Sequence, residues 1–136
     1  MELGKHHYFT NGIEALIPLS LVIIHPDYNR PSGLSNDLAL LKLDDPVDFN
    51  NVPHVRPICL PSNRDETFAG LTATVAGWGR TLVDDYSPVL LEADVDVISQ
   101  TECREIYGGN ISDDMLCCLS PSDGPVSQGA CKGDSG

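Results

Sequence analysis

Ten prolines and twelve glycines punctuate short runs of Val, Ile, Leu and Thr along this chain. Proline withholds a backbone donor and glycine adds disorder to the interior of an element. Regular structure is thereby confined to short pieces, the rhythm of an all-β barrel or sandwich rather than of strands alternating with helices. Leu19 to Ile24 reads as a strand, followed by the turn-rich loop His25 to Gly33 and a second strand over Leu38 to Leu43. Leu71 to Ala76 alternates Thr with apolar residues and stops at Gly77-Trp78-Gly79. Leu91 to Val97 alternates strictly, which predicts Leu91, Ala93, Val95 and Val97 facing a core and Glu92, Asp94 and Asp96 facing water. The one helix expected starts at Ser99, where Glu102 completes a capping box, and ends at Tyr107-Gly108-Gly109.

Charge and hydropathy remove several function classes. Eight Lys and Arg stand against twenty Asp and Glu, a formal charge of −12, which repels phosphate backbones and anionic lipid. The longest apolar run, Ala15 to Ile24, contains Pro18 and falls well short of the roughly 20 residues that a membrane-crossing helix needs; it reads as a strand in a soluble core. The segment Pro53 to Gly70, with Pro53, Pro57 and Pro61 ahead of a polar run, reads as a linker between two folding units.

Five cysteines, Cys59, Cys103, Cys117, Cys118 and Cys131, lack the paired C-x-x-C spacing of a zinc site, and Asn110-Ile111-Ser112 is a sequon. Both features fit a secreted, disulfide-bonded protein, although Met1 to Phe9 has neither the basic start nor the apolar middle of an export signal. The odd count leaves at least one cysteine free or paired outside these residues. At 136 residues the chain can hold one cored domain and is short for an enzyme built from two barrels.

The chain closes on Gly133-Asp134-Ser135-Gly136 with Cys131 four residues before the serine, and three more motifs precede it: Ser35 to Leu43 (SNDLALLKL), Arg56 to Pro61 (RPICLP) and Ala76 to Gly79 (AGWG). A lone GDSG is commonly a surface turn. With the others in order, and with Leu3 to His6 (LGKH) at the start, the chain resembles the central stretch of a trypsin/chymotrypsin-type serine endopeptidase over nearly its whole length.

That resemblance implies an all-β parent of two antiparallel six-stranded barrels with the active site between them. Residues 1–56 would be the second half of the first barrel, 57–70 the interdomain linker, and 71–136 the first half of the second barrel. It further implies Ser135 as the nucleophile and Asp37 as the triad carboxylate, roles that belong to the family's reference triad. The backbone N–H groups of Gly133 and Ser135 would form the oxyanion hole. Asp134 would pair with the N-terminal amine freed on activation, and Gly129 would floor the primary specificity pocket. Trypsins place Asp at that floor; glycine there implies an apolar or small substrate residue, as in chymotrypsin-like or elastase-like members.

The family's catalytic histidine lies upstream of the LGxH strand, and His6, His7, His25 and His54 match other positions. The chain alone is therefore expected to be an incomplete, inactive peptidase that folds poorly. A non-catalytic homologue acting as a binding or regulatory protein, and a small disulfide module complete as written, stand as alternatives. Cys103 and Cys117 are implied to form a bridge, Cys131 to pair with a downstream cysteine, and Cys59 to tether an upstream propeptide or light chain; Cys118 has no assigned partner. Calcium-binding members carry Glu where this chain has Lys5, so no metal is expected, and no cofactor. The expected partner is a protein or peptide substrate, with no nucleic acid and no membrane.

Overall fold

The computed structural model describes all residues except 11, 13, 14, 32, 64, 110, 122–128, 135 and 136. The chain divides into two compact units, Met1–Ser62 and Asn63–Gly136.

In the first unit β1 (Glu2–Leu3) pairs antiparallel with β2 (Ala15–Leu16), and β3 (Leu19–Ile24) pairs antiparallel with β4 (Ala39–Leu43), Val22 facing Leu41. Pro18 separates β2 from β3, so the apolar run read as one strand is two, because a proline cannot donate to the ladder. The loop between β3 and β4 is closed by its own polar groups. The Asn36 side-chain amide donates to the carbonyls of Asp27 (3.2 Å) and Arg30 (2.9 Å), and the Asn29 N–H donates to the Ser35 carbonyl (2.8 Å). Ser35 is fully buried beneath it.

β3 departs from the core strand expected. All six of its residues are exposed, Leu21 at 50% and Ile24 at 61% among them, and across the ladder Leu40 is exposed at 65%. The strand itself forms, but β4 is the one strand that pairs with it among the described residues, and a two-stranded ribbon has no second layer to cover either face. What this unit buries is elsewhere, at Ile17, Val52 and Ser35.

The second unit carries a three-stranded antiparallel sheet in the order β5 (Thr72–Gly77), β6 (Leu91–Val97), β7 (Cys118–Leu119), with one helix, α1 (Gln100–Tyr107), between β6 and β7. Ala73 faces Val95, Val75 faces Ala93, and Val97 faces Cys118. Val95 and Val97 are buried, while Leu91, expected on the same face, is 47% exposed at the strand's open end. On the opposite face the hydroxyls of Thr72 and Thr74 donate to Asp96 and Asp94 at 3.1 and 3.0 Å, which pins the register on the polar side. The Ser99 half of the capping box forms, its hydroxyl accepting from the Glu102 N–H at 3.2 Å, and Gly108 closes the helix with φ +80°. Helix and sheet are joined by a disulfide between Cys103, fully buried, and Cys117, with Cα atoms 6.0 Å apart.

Candidate active site

The loop leading to the expected nucleophile is described through Asp134; Ser135 itself lies outside the described residues, as does Asn110 of the sequon. Asp134 sits half-buried with both carboxylate oxygens engaged. Oδ1 accepts from the Gly79 N–H at 2.6 Å and Oδ2 from the Cys131 N–H at 2.8 Å. The Asp134 N–H in turn donates to the Cys131 carbonyl at 3.1 Å, and the Arg80 N–H donates to the Lys132 carbonyl at 2.9 Å. Charge-assisted bonds of this kind to backbone amides are among the stronger ones available, so residues 131–134 are stitched onto the end of β5.

Glycine is required around that carboxylate. A β-carbon at Gly77 or Gly79 would overlap the Asp134 carboxylate itself, and one at Gly133 would press into the Tyr86 ring. Gly133 also adopts φ +98°, a region that L side chains rarely enter. Ser87, buried, donates its N–H to the carbonyls of Trp78 (3.0 Å) and Gly79 (3.2 Å), which holds the segment carrying Tyr86 against the same turn. The AGWG motif marked Gly77 and Gly79 in the sequence without disclosing their role as the seat of Asp134. Tyr86 gave no signal at all.

Gly129 is exposed with φ +147° and lies against Val95. Together with Asp134 it borders an open cavity of about 460 Å³ over β5 and β6, walled by Val75, Leu82, Val83 and Leu91. Asp37 belongs to the first unit, exposed, between Asn36 at φ +53° and the start of β4.

The four histidines have local settings within the first unit. His6 and His7 meet edge to face at 5.0 Å, His54 is exposed, and His25 uses Nδ1 to accept from the Asp27 N–H at 3.1 Å in the loop after β3. Lys5 Nζ lies 2.6 Å from a Glu2 carboxylate oxygen and 5.6 Å from the centre of the Tyr8 ring. A calcium-binding arrangement does not fit there, because an ammonium already neutralises the carboxylate and repels a hard cation. No group of three or more His, Cys, Asp or Glu able to hold a metal occurs among the described residues. No helix among them is long and apolar enough to cross a membrane. Cys59, Cys118 and Cys131 carry free thiols among the described residues, and burial pushes the Cys118 thiol up from its ordinary pKa.

Comparison with known proteins gives this geometry its context. Residues 2–136 match the family profile described as Trypsin. The chain is 37% identical over 139 residues to serine protease 1 of Rattus norvegicus, covering 100% of this chain and 53% of that protein. It is 40% identical over 131 residues to trypsin-1 of Astacus astacus, covering 92% and 50%. Among solved structures it is similar to neuropsin, a serine protease expressed in the limbic system of mouse brain. That likeness has a TM-score of 0.78 at 29% identity and covers 99% of this chain and 58% of that one. The chain belongs to the trypsin family of serine proteases and has its all-β, chymotrypsin-like fold. It spans about half the length of the relatives it matches.

Proposed function

We propose that the protein carrying these residues is a secreted serine endopeptidase that cleaves peptide bonds through an acyl-enzyme on Ser135. The observation that carries the reading is the folding of the turn just before the serine. Asp134 is held by two amides and Gly133 takes a positive φ; the Gly133 N–H would serve a developing oxyanion. Asp37 would orient and stabilise an imidazole supplied from outside these residues, and that imidazole would take the serine proton. Without it the 136 residues alone turn over no substrate.

Gly129 brings no carboxylate to the pocket floor, which favours an apolar or small side chain over Lys or Arg at the cleaved position. Asp134 would receive an activation amine in addition to its amide partners, Cys131 would pair downstream, and Cys59 would tether an upstream segment. Neither metal nor cofactor enters the mechanism.

Expression of the complete gene product and assay with chromogenic peptides tests this. Hydrolysis that prefers Phe, Leu or Ala over Lys or Arg, and that Ser135→Ala abolishes, is the expected result. No hydrolysis of any peptide by the correctly folded product would overturn the reading in favour of a non-catalytic homologue that binds rather than cleaves.

A further inference from the structure

β7 is two residues long and lies at the edge of its sheet. It pairs Cys118 with Val97 and Leu119 with Asp96, and just before it the Ile98 N–H donates to the Cys117 carbonyl at 3.0 Å. Register in a sheet is set by matching apolar residues to the buried face, and here the match is imperfect. Leu119 stands opposite Asp96, whose carboxylate accepts from the Thr72 hydroxyl on the polar face. Moving the strand back by one residue would set Leu119 opposite the buried Val97 and Ser120 opposite Asp96, apolar to apolar and polar to polar. The observed register also leaves Gln100 Oε1 buried without a hydrogen bond among the described residues, while its Nε2 donates to the Met115 carbonyl.

The Cys103–Cys117 bridge holds the observed register. In the shifted one Cys118 stands where Cys117 now does, facing Cys103. The cross-linked loop grows by one residue, an entropic change too small to favour either bridge. The connection from α1 to β7 takes up that residue at little cost, and it opens on Gly108, with φ +80°, and the exposed Gly109.

We propose that β7 is a strand of two registers, switched by thiol–disulfide exchange between Cys118 and the Cys103–Cys117 bridge. The Cys118 thiolate attacks Cys103 Sγ, and the Cys103–Cys118 bond forms as the Cys103–Cys117 bond breaks. The electron pair leaves on Cys117, which takes up the proton that Cys118 released to solvent. The exchange is an isomerisation and needs neither oxidant nor reductant. Burial keeps the half-buried Cys118 thiol protonated near neutral pH, so the exchange is expected to be slow there and to quicken as pH rises. Cys118 also walls a cavity of about 430 Å³ together with Val95, Tyr107 and Gly129. The shift leaves the chain between β7 and Gly129 one residue shorter and so pulls on the expected floor of the specificity pocket. That consequence rests on the peptidase reading; the exchange itself does not.

The complete gene product, kept folded at mildly acid and at alkaline pH, tests this. Free thiols are trapped with N-ethylmaleimide as the solution is acidified, and the bridges are mapped by mass spectrometry without reduction. A Cys103–Cys118 peptide that accumulates with time at alkaline pH, with Cys117 trapped in matching amount, is the expected result. Cys118→Ser is expected to hold the Cys103–Cys117 bridge alone, and Cys117→Ser to fold with Cys103 bridged to Cys118. On one peptide substrate, Cys117→Ser is expected to show kcat/KM lower than Cys118→Ser by on the order of a hundredfold, the scale set by small misplacements near a reacting centre. A wild-type map holding only Cys103–Cys117 at every pH and time overturns the proposal, as do free Cys103 and Cys118 thiols in folded Cys117→Ser. Should Cys117→Ser fail to fold, the wild-type map decides alone. Equal kcat/KM in the two variants, each with its bridge confirmed, overturns the coupling to Gly129. Absence of turnover in the unsubstituted protein strikes the peptidase reading instead and leaves the bridge map to judge the exchange.

Discussion

The two units treat strands of similar length in opposite ways. β6, Leu91–Val97, alternates apolar and acidic residues, buries Val95 and Val97 in a three-stranded sheet, and turns Asp94 and Asp96 to threonine hydroxyls. β3, Leu19–Ile24, is apolar at five of its six positions and buries none of them. An alternating strand needs cover on one face only. A continuous apolar strand is suited to burial on both faces, and a lone partner strand gives it neither. Stability in this chain is therefore expected to be concentrated around α1 and β6, with β3 and β4 as its sticky surface.

The sharpest way to break that contrast is to remove the disulfide. Replacing Cys103 and Cys117 together by Ser is expected to cost about 3 kcal/mol, the size for a loop of this length, read from urea unfolding of the second unit's helical signal. Val97→Ala follows, at about 2 kcal/mol for a buried side chain lost from a packed site. Val22→Ala, on the exposed ribbon, is expected to stay within about 0.5 kcal/mol. Equal costs at Val97 and Val22 would erase the distinction between the units. A paired change of Leu21 and Ile23 to Ser is expected to reduce hydrophobic-dye binding and aggregation without lowering the unfolding midpoint.

The smallest effect expected is chemical. Burial raises the pKa of Cys118, so its thiol stays protonated to higher pH than an ordinary cysteine, and thiolate is the reactive form. Iodoacetamide at pH 7.5 is expected to modify it more slowly than it modifies glutathione, with the rate rising as pH climbs past the ordinary thiol range. Mass mapping of the modified peptide reads the outcome.

Local pattern and packing were unequally legible. The strict alternation of Leu91 to Val97 disclosed both a strand and which of its faces is wet, since a period of two has no other regular use. It failed only at Leu91, the end residue, where the sheet offers nothing to pack on. The composition of Leu19 to Ile24 disclosed a strand but not its exposure, because burial depends on what lies across the layer rather than on the strand itself. In the site, GDSG announced the loop through its resemblance to a family. The partner that seats Asp134 is Gly79, 55 positions away, and no sequence spacing reveals a backbone amide as a partner. Tyr86 was hidden for the same reason, its contact with Gly133 being a matter of how two loops meet.

The account turns on Ser135 being an acyl acceptor activated through Asp37. Fluorophosphonate labelling of the complete gene product, with the modified serine located by mass spectrometry and the rate compared between wild type and Asp37→Asn, tests that link directly. Labelling at Ser135 that slows by about 10⁴-fold in Asp37→Asn, the drop characteristic of the family's reference triad, is the result predicted. Labelling at the same rate in both proteins, or at a different serine, would contradict it.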